Sequence, residues 1–335
     1  MANKLTLLNR QHGALLGMFI GDALAMPVHW YYDIRALQRD YGTVTEYLPP
    51  KRHHPDSILW RSHYSHGSPA GDILHDQKQY WGKRNIHYHQ FLQRGENTLN
   101  LKLAHLLLEI CTSDEGYSRD AWLSGMIDFM TKSGNHRDTY VEEYLRHFFL
   151  NYEKGIPPQD CGRTDEKHIG GFSLMLPLLI TQSDKANTID TTLQHLSLTH
   201  GGSEMLTWGL FVSHLLLSLL QGENLKNAFD NASMDSGARL KYSDLEALTD
   251  YPDEVVVCHH FSSACYVQQA IPATLYLAVK YHHSPSEGLI ANTMCGGDNC
   301  GRGTLLGALL GALNGARCWP EKWITGLNDS PLDVL

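Results

Sequence analysis

The chain contains no CxxC pair, no HExxH motif and no low-complexity tract. The first two absences exclude the familiar zinc patterns. The third leaves no linker along which to divide the chain. Cysteine is scarce. Seven residues, odd in number and scattered, do not form a disulfide framework, and a reducing cytoplasmic location is expected. Charged residues make up only 19%, with a net charge of −9. The basic face of a nucleic-acid binder is therefore not expected. No uninterrupted apolar run reads as long enough to span a bilayer, so no membrane partner is expected. The N-terminal apolar stretch holds Asp22 and lacks a clear small-residue cleavage site, which argues against a signal peptide.

What is present is helical. Apolar residues recur at three- and four-residue spacing over 5–25, 99–111, 119–131, 139–150, 171–182, 188–198, 204–221, 264–281, 286–294 and 303–316. An all-α fold follows. The segment Glu254-Val-Val-Val-Cys-His259 is the only good strand candidate. Residues 42–95, rich in Tyr, Trp, His, Pro and Gly, lack a period, and read either as an aromatic lid or as an ordered surface excursion. Histidines cluster there, at His53, His54, His63, His66, His75, His87 and His89. The simplest expectation for them is a solvated surface.

Glycine is placed with care. Gly303, Gly307, Gly311 and Gly315 stand four apart, as do Gly13, Gly17 and Gly21. Residues i and i+4 share a helix face, so each set forms a bare stripe along which another helix can approach. A helical glycine costs about 0.5–1 kcal/mol relative to alanine, and close packing is one reason to accept that. A second is that such packing draws polar loops together. Four polar clusters precede or follow apolar helices: Asp22 with His29 and Trp30; Gly95-Glu96-Asn97-Thr98; Thr199-His200-Gly201-Gly202-Ser203-Glu204; and Asp298-Asn299-Cys300-Gly301-Arg302. Each can serve as a helix cap, with Thr98, Ser203 and Asn299 as candidates. Together they suggest one pocket. Oxygen atoms of Glu96, Asn97, Thr98 and Asp298 suit Mg²⁺ or Ca²⁺ better than a soft metal.

The order of these motifs resembles the ADP-ribosylglycohydrolase family, which includes dinitrogenase-reductase-activating glycohydrolases and J1 crystallins. GALLGMFIGDALAMPVHW is similar to the family's opening. LSLTHGGSEMLTWGLFVSHLLLSLLQGE, QQAIPATLYLAVKY and ANTMCGGDNCGRGTLLGALLGALNG follow in the family's order over nearly the whole chain. The resemblance implies a single, orthogonally packed helical domain over 1–335. It also implies two Mg²⁺ ions between two acidic loops, orienting ribose hydroxyls and water.

The loops here depart from that pattern. Thr98 and Asp298 stand where the family has the same residues, and Glu96 keeps a carboxylate. Asn97 loses a charge, Cys300 and Gly301 replace an aspartate and a threonine, and His29 replaces a glutamate. Two divalent ions facing only Glu96 and Asp298, with Arg302 nearby, would repel by several kcal/mol at about 4–6 Å and an effective dielectric near 20. The sequence therefore admits one Mg²⁺, held by Glu96, Thr98 and Asp298, or none, rather than two.

The leading expectation is a hydrolase for an N- or O-glycosidic bond of an ADP-ribose-like or nucleoside-like substrate, other than ADP-ribosylated arginine. Glu96, His29 and Asp298 would be catalytic. Trp30, Asn97, His200, Asn299, Cys300 and Arg302 would contact the substrate, Arg302 by holding a phosphate or carboxylate. The alternatives are a ligand-binding or crystallin-like member without activity, and an enzyme using Cys300 as nucleophile. The oligomeric state is not legible.

Overall fold

The first helix and one of the last lie against each other along their glycines. In this computed structural model, which describes residues 5–183 and 186–335, α1 spans Leu7–Ala25. It is followed by α2 (Ile34–Tyr41), α3 (Leu99–Thr112), α4 (Arg119–Thr131), α5 (Glu143–Tyr152), α6 (Gly170–Thr181) and α7 (Thr188–Ser197). Then come α8 (Ser203–Leu220), α9 (Leu225–Ser236), α10 (Tyr242–Glu246), α11 (Val267–Tyr281), α12 (Pro285–Met294), α13 (Asn299–Asn314) and α14 (Glu321–Ile324).

A Cβ built on Gly17 would lie 2.1 Å from the carbonyl oxygen of Gly307, and one on Gly21 2.1 Å from that of Gly303. One on Gly13 would lie 2.4 Å from that of Gly311. No side chain fits these gaps, so the two backbones touch in antiparallel sense. The C-terminus of α1 is thereby brought beside the N-terminus of α13.

This pair forms the centre of the main core, with Phe172, Phe211 and Tyr276 packed around it. A second core of Trp122, Tyr144, Phe148 and Phe149 unites α3, α4 and α5. The fold is all-α, as the periodicity indicates. Among the described residues no strand forms, and three isolated bridges are the only β pairing.

The expected strand at 254–259 is instead part of a π-helix, Val255–Ser262. Its Val256 and Val257 are buried while Val255 is exposed, so one helical face, and not an alternating one, meets the core. Helix α8 is long and apolar enough to cross a bilayer by length and composition, contrary to the sequence reading. In the fold it packs against α7 and α9. Residues 42–95 form an irregular segment with short 3₁₀ turns, Leu59–Arg61, Pro69–Gly71 and His75–Tyr80, and one isolated bridge between His53 and Ile86.

Candidate functional site

The site begins where α1 ends. Asp22, fully buried, accepts from the Thr98 backbone N–H (2.8 Å), the Thr98 hydroxyl (2.7 Å) and the Asn97 side-chain amide (2.8 Å). It thus ties α1 to the start of α3, and it occupies the Thr98 hydroxyl that would otherwise cap that helix. Burial raises the Asp22 pKa, and these hydrogen bonds oppose the rise.

On α13 the true N-cap is Asp298, whose Oδ1 accepts from Gly301 N at 3.1 Å. Asn299, Cys300 and Arg302 are therefore helical, and the polar loop is one turn shorter than its sequence suggests. Gly296 and Gly297 enter it with φ of 56° and 59°, which glycine adopts without strain. Gly297 accepts from the Trp30 backbone N–H at 2.8 Å. Trp30 itself holds φ at 62°, an uncommon conformation for a bulky residue and one associated with functional positions.

Between these loops runs a line of four side chains. Asp298 Oδ1 is 3.2 Å from His29 Nε2, His29 Nδ1 is 2.8 Å from His89 Nε2, and His89 Nδ1 meets Asp138 Oδ1 in a short contact. All four side chains are buried. Three hydrogen bonds require three protons, one more than two neutral imidazoles supply. His29 is driven down to about 4, chiefly by burial and against its hydrogen bond to Asp298. Neutral His29 then donates from Nε2 to Asp298 and accepts at Nδ1 from His89. The His89–Asp138 contact closes the line. Burial would raise Asp298, but the bond to His29 and the charge of Arg302 hold it below the ordinary carboxylate value.

The line borders a cleft of two parts. A recess of about 10 Å³ is walled by His29, His89, Thr98, Asp138, Tyr140 and Glu142, among others. Trp30, Tyr140 and Glu142 also wall an outer chamber of about 340 Å³, with Tyr32, Tyr88, His168 and Tyr266. Glu142 stands at the junction. Its Oε1 accepts from Asn100 Nδ2 at 2.7 Å, and Asn100 Oδ1 accepts from the Tyr144 hydroxyl at 2.8 Å. Burial first, and the Asp298 charge second, raise Glu142 to about 7. In the outer chamber His168 is raised to about 11, burial being overcome by hydrogen bonds to Cys265 and Glu166.

Of the residues singled out from sequence, His29, Trp30 and Thr98 line this cleft, and Asp298 reaches it through His29. The others do not line it. Glu96 is held by Arg137 Nη2 (2.6 Å) and Lys102 Nζ (2.7 Å), and it borders a separate cavity with them. Burial would raise its pKa, but the two cations lower it. Asn97 is spent on Asp22 and the Phe19 carbonyl. His200 packs against Tyr144 and bonds Thr199.

Asn299 donates to the Thr293 carbonyl at 3.0 Å. The Cys300 thiol donates to the Asp22 carbonyl at 3.6 Å, beside Ala25, Met26 and Leu92, and burial pushes its pKa well up. That makes it packing and not a nucleophile. Arg302 is fully buried and donates to Asn292 Oδ1, the Ser263 carbonyl and the Gly296 carbonyl. It clamps the loop from behind and does not face the cleft.

The oxygen set expected for one Mg²⁺ does not fit that ion. Glu96 is neutralised by two cations elsewhere, the Thr98 hydroxyl donates to Asp22, and Asp298 Oδ1 accepts from His29 and Gly301. Among the described residues no group of three or more His, Cys, Asp or Glu converges as a metal-binding set.

Sequence reasoning missed His89, Asp138 and Glu142. The first lay in the histidine cluster expected to be solvated. In fact His54, His87 and His89 are all buried, His54 donating to the His29 carbonyl and His87 to the Pro27 carbonyl. Asp138 precedes the segment 139–150 expected to be helical and Glu142 falls inside it, whereas α5 begins only at Glu143.

The comparisons with known proteins agree with this architecture. The family model described as ADP-ribosylglycohydrolase matches residues 3–335. A solved structure described as an ADP-ribosylglycohydrolase-related protein complex has a similar fold, with a TM-score of 0.61 at 19% identity, covering 98% of this chain and 95% of that one. No curated protein sequence matches.

Proposed function

This chain belongs to the ADP-ribosylglycohydrolase family, and on that premise we propose that its cleft hydrolyses an N- or O-glycosidic bond of an ADP-ribose-like or nucleoside-like substrate. The observation that carries this reading is Glu142. Its carboxyl group sits at the junction of a polar recess and an aromatic chamber, oriented by Asn100. Near neutral pH a group titrating at about 7 is well matched to act as a general acid.

The chamber is large enough for a ring system, and Trp30, Tyr32, Tyr88, Tyr140 and Tyr266 offer flat apolar faces to it. The bond to be broken lies over Glu142, which protonates the departing atom. His29, stacked on Trp30 at 4.0 Å between ring centroids, fixes that wall of the recess. Positive charge developing on the sugar is stabilised by the carboxylate of Asp298, which reaches the recess through His29. Because the oxygen set does not suit Mg²⁺, none of these roles is assigned to a metal, and activity on ADP-ribosylated arginine is expected to be weak or absent.

The test is a panel of an O-linked ADP-ribosyl peptide, ADP-ribosyl-arginine and free nucleosides, assayed with native protein and with Glu142→Gln. Turnover of one member that Glu142→Gln lowers by about 100-fold or more supports the reading. Absence of turnover across the panel, or full activity of the variant, contradicts it.

A further inference from the structure

We propose that Asp138 is the catalytic base, holding the attacking water in the recess and taking its proton; this rests on the hydrolytic reading above. Asp138 is fully buried, and its Oδ1 is fixed by His89. Among the described residues its other oxygen, Oδ2, has no hydrogen-bond partner. A buried polar oxygen left unpaired costs about 1–3 kcal/mol or more, and such exceptions call for an explanation. The recess supplies one. Asp138 is part of its wall, and its volume of about 10 Å³ is roughly that of one water-sized sphere. His29, Thr98 and Glu142 share the wall, so a water accepted there has two or more polar neighbours, as a buried water needs.

Two carboxyl groups thus face one water from different elements. Asp138 stands in the irregular segment before α5, and Glu142 at that helix's start. In the reaction the water gives its proton to Asp138 Oδ2 as its oxygen bonds to the anomeric carbon. The bond from that carbon to the leaving atom breaks, the electron pair staying with the leaving atom, which takes the proton of Glu142. Asp138 ends protonated and Glu142 ends as carboxylate. Loss of one proton to solvent and gain of another restores both, with one water consumed. His89 is a positioning residue: by engaging Oδ1 it leaves Oδ2 as the free acceptor.

The test has two independent arms. A high-resolution crystal structure of the native protein is expected to show one ordered water within hydrogen-bond distance of Asp138 Oδ2. A dry recess, or a protein donor on Oδ2, overturns the assignment whether or not a substrate is known. In the second arm Asp138→Asn keeps the side chain's size and removes the base. On whichever panel member the native enzyme cleaves, kcat is expected to fall by about 100-fold or more with KM little changed, and formate is expected to restore part of the turnover of Asp138→Ala. An unchanged kcat in folded Asp138→Asn overturns the proposal and leaves Glu142 standing. Failure of the native enzyme on the whole panel overturns the hydrolytic reading and the role of base with it, an ordered water then showing only that Asp138 Oδ2 is hydrated. If the variants alone do not fold, the crystal structure is the deciding arm.

Discussion

His29 Nε2 lies 3.2 Å from Asp298 Oδ1 although the two residues are 269 positions apart. The contact depends on two glycine stripes. Only because α1 and α13 touch backbone to backbone does the end of the first helix meet the cap of the other. The cleft is therefore built on packing first and on polar chemistry second.

That dependence predicts a severe effect of one methyl group. A Cβ on Gly307 would lie 1.9 Å from the Gly17 carbonyl oxygen, with backbone on both sides and no flexible neighbour to yield. Gly307→Ala is expected to lose about 3 kcal/mol or more of stability, read as a lower urea midpoint. Gly82→Ala, at a position open to solvent but with a φ of 83°, is expected to lose less. Equal losses at the two sites would contradict the packing account.

The buried histidines make the fold sensitive to acid. Burial drives His29 and His195 to about 4, and His54 and His200 to about 3. The unfolded chain, with ordinary values near 6.5, binds protons that the native state refuses. Stability is complete above about pH 6.5 and is lost as pH falls from there toward 4, by about 1.4 kcal/mol per pH unit for each such histidine. Melting temperature should fall steeply over that window, and His54→Gln should make the fall shallower by one proton. A flat profile between pH 7 and 4.5 would show that these rings are not buried neutral.

Arg302 is predicted to be structural. Arg302→Gln removes charged donors from the Ser263 and Gly296 carbonyls and a positive charge that favours ionised Asp298. A stability loss of at least about 2 kcal/mol is expected, measured by denaturant titration. A variant with native stability but weakened binding of anionic ligand would instead make Arg302 a recognition group.

Mg²⁺ is expected to matter little. With Glu96 paired to Arg137 and Lys102, and the Thr98 hydroxyl bonded to Asp22, chelator treatment should leave turnover unchanged and added Mg²⁺ should produce no thermal shift. Loss of turnover on chelation, restored by Mg²⁺, would require Glu96 to leave both cations.

Much of the scaffold was legible because it follows from periodicity. The spacing of Gly13, Gly17, Gly21 and Gly303, Gly307, Gly311 announces a close helix pair, and helix α4 has the boundaries its pattern gives. Val255-Val-Val-Cys258 misled because β-branched residues favour strands, whereas the segment's one-sided burial favours a helix. The site was less legible. His29 and Asp298 stood out by their positions in motifs, but Glu96 did too, and only the fold pairs it with Arg137, 41 residues away. Glu142 carried no local sign. Its neighbours in the pocket, His29 and Thr98, come from distant segments, and its elevated pKa arises from burial that no local pattern encodes.

The most direct test of the central assignment is the pH dependence of kcat/KM on the cleaved panel member, native against Glu142→Gln. With Glu142 as general acid raised to about 7, native activity should decline above about pH 7, as the proton is lost. The variant should be at least about 100-fold slower and without that alkaline decline. A native profile flat through pH 7–9, or a variant that keeps the same alkaline decline, would contradict the assignment.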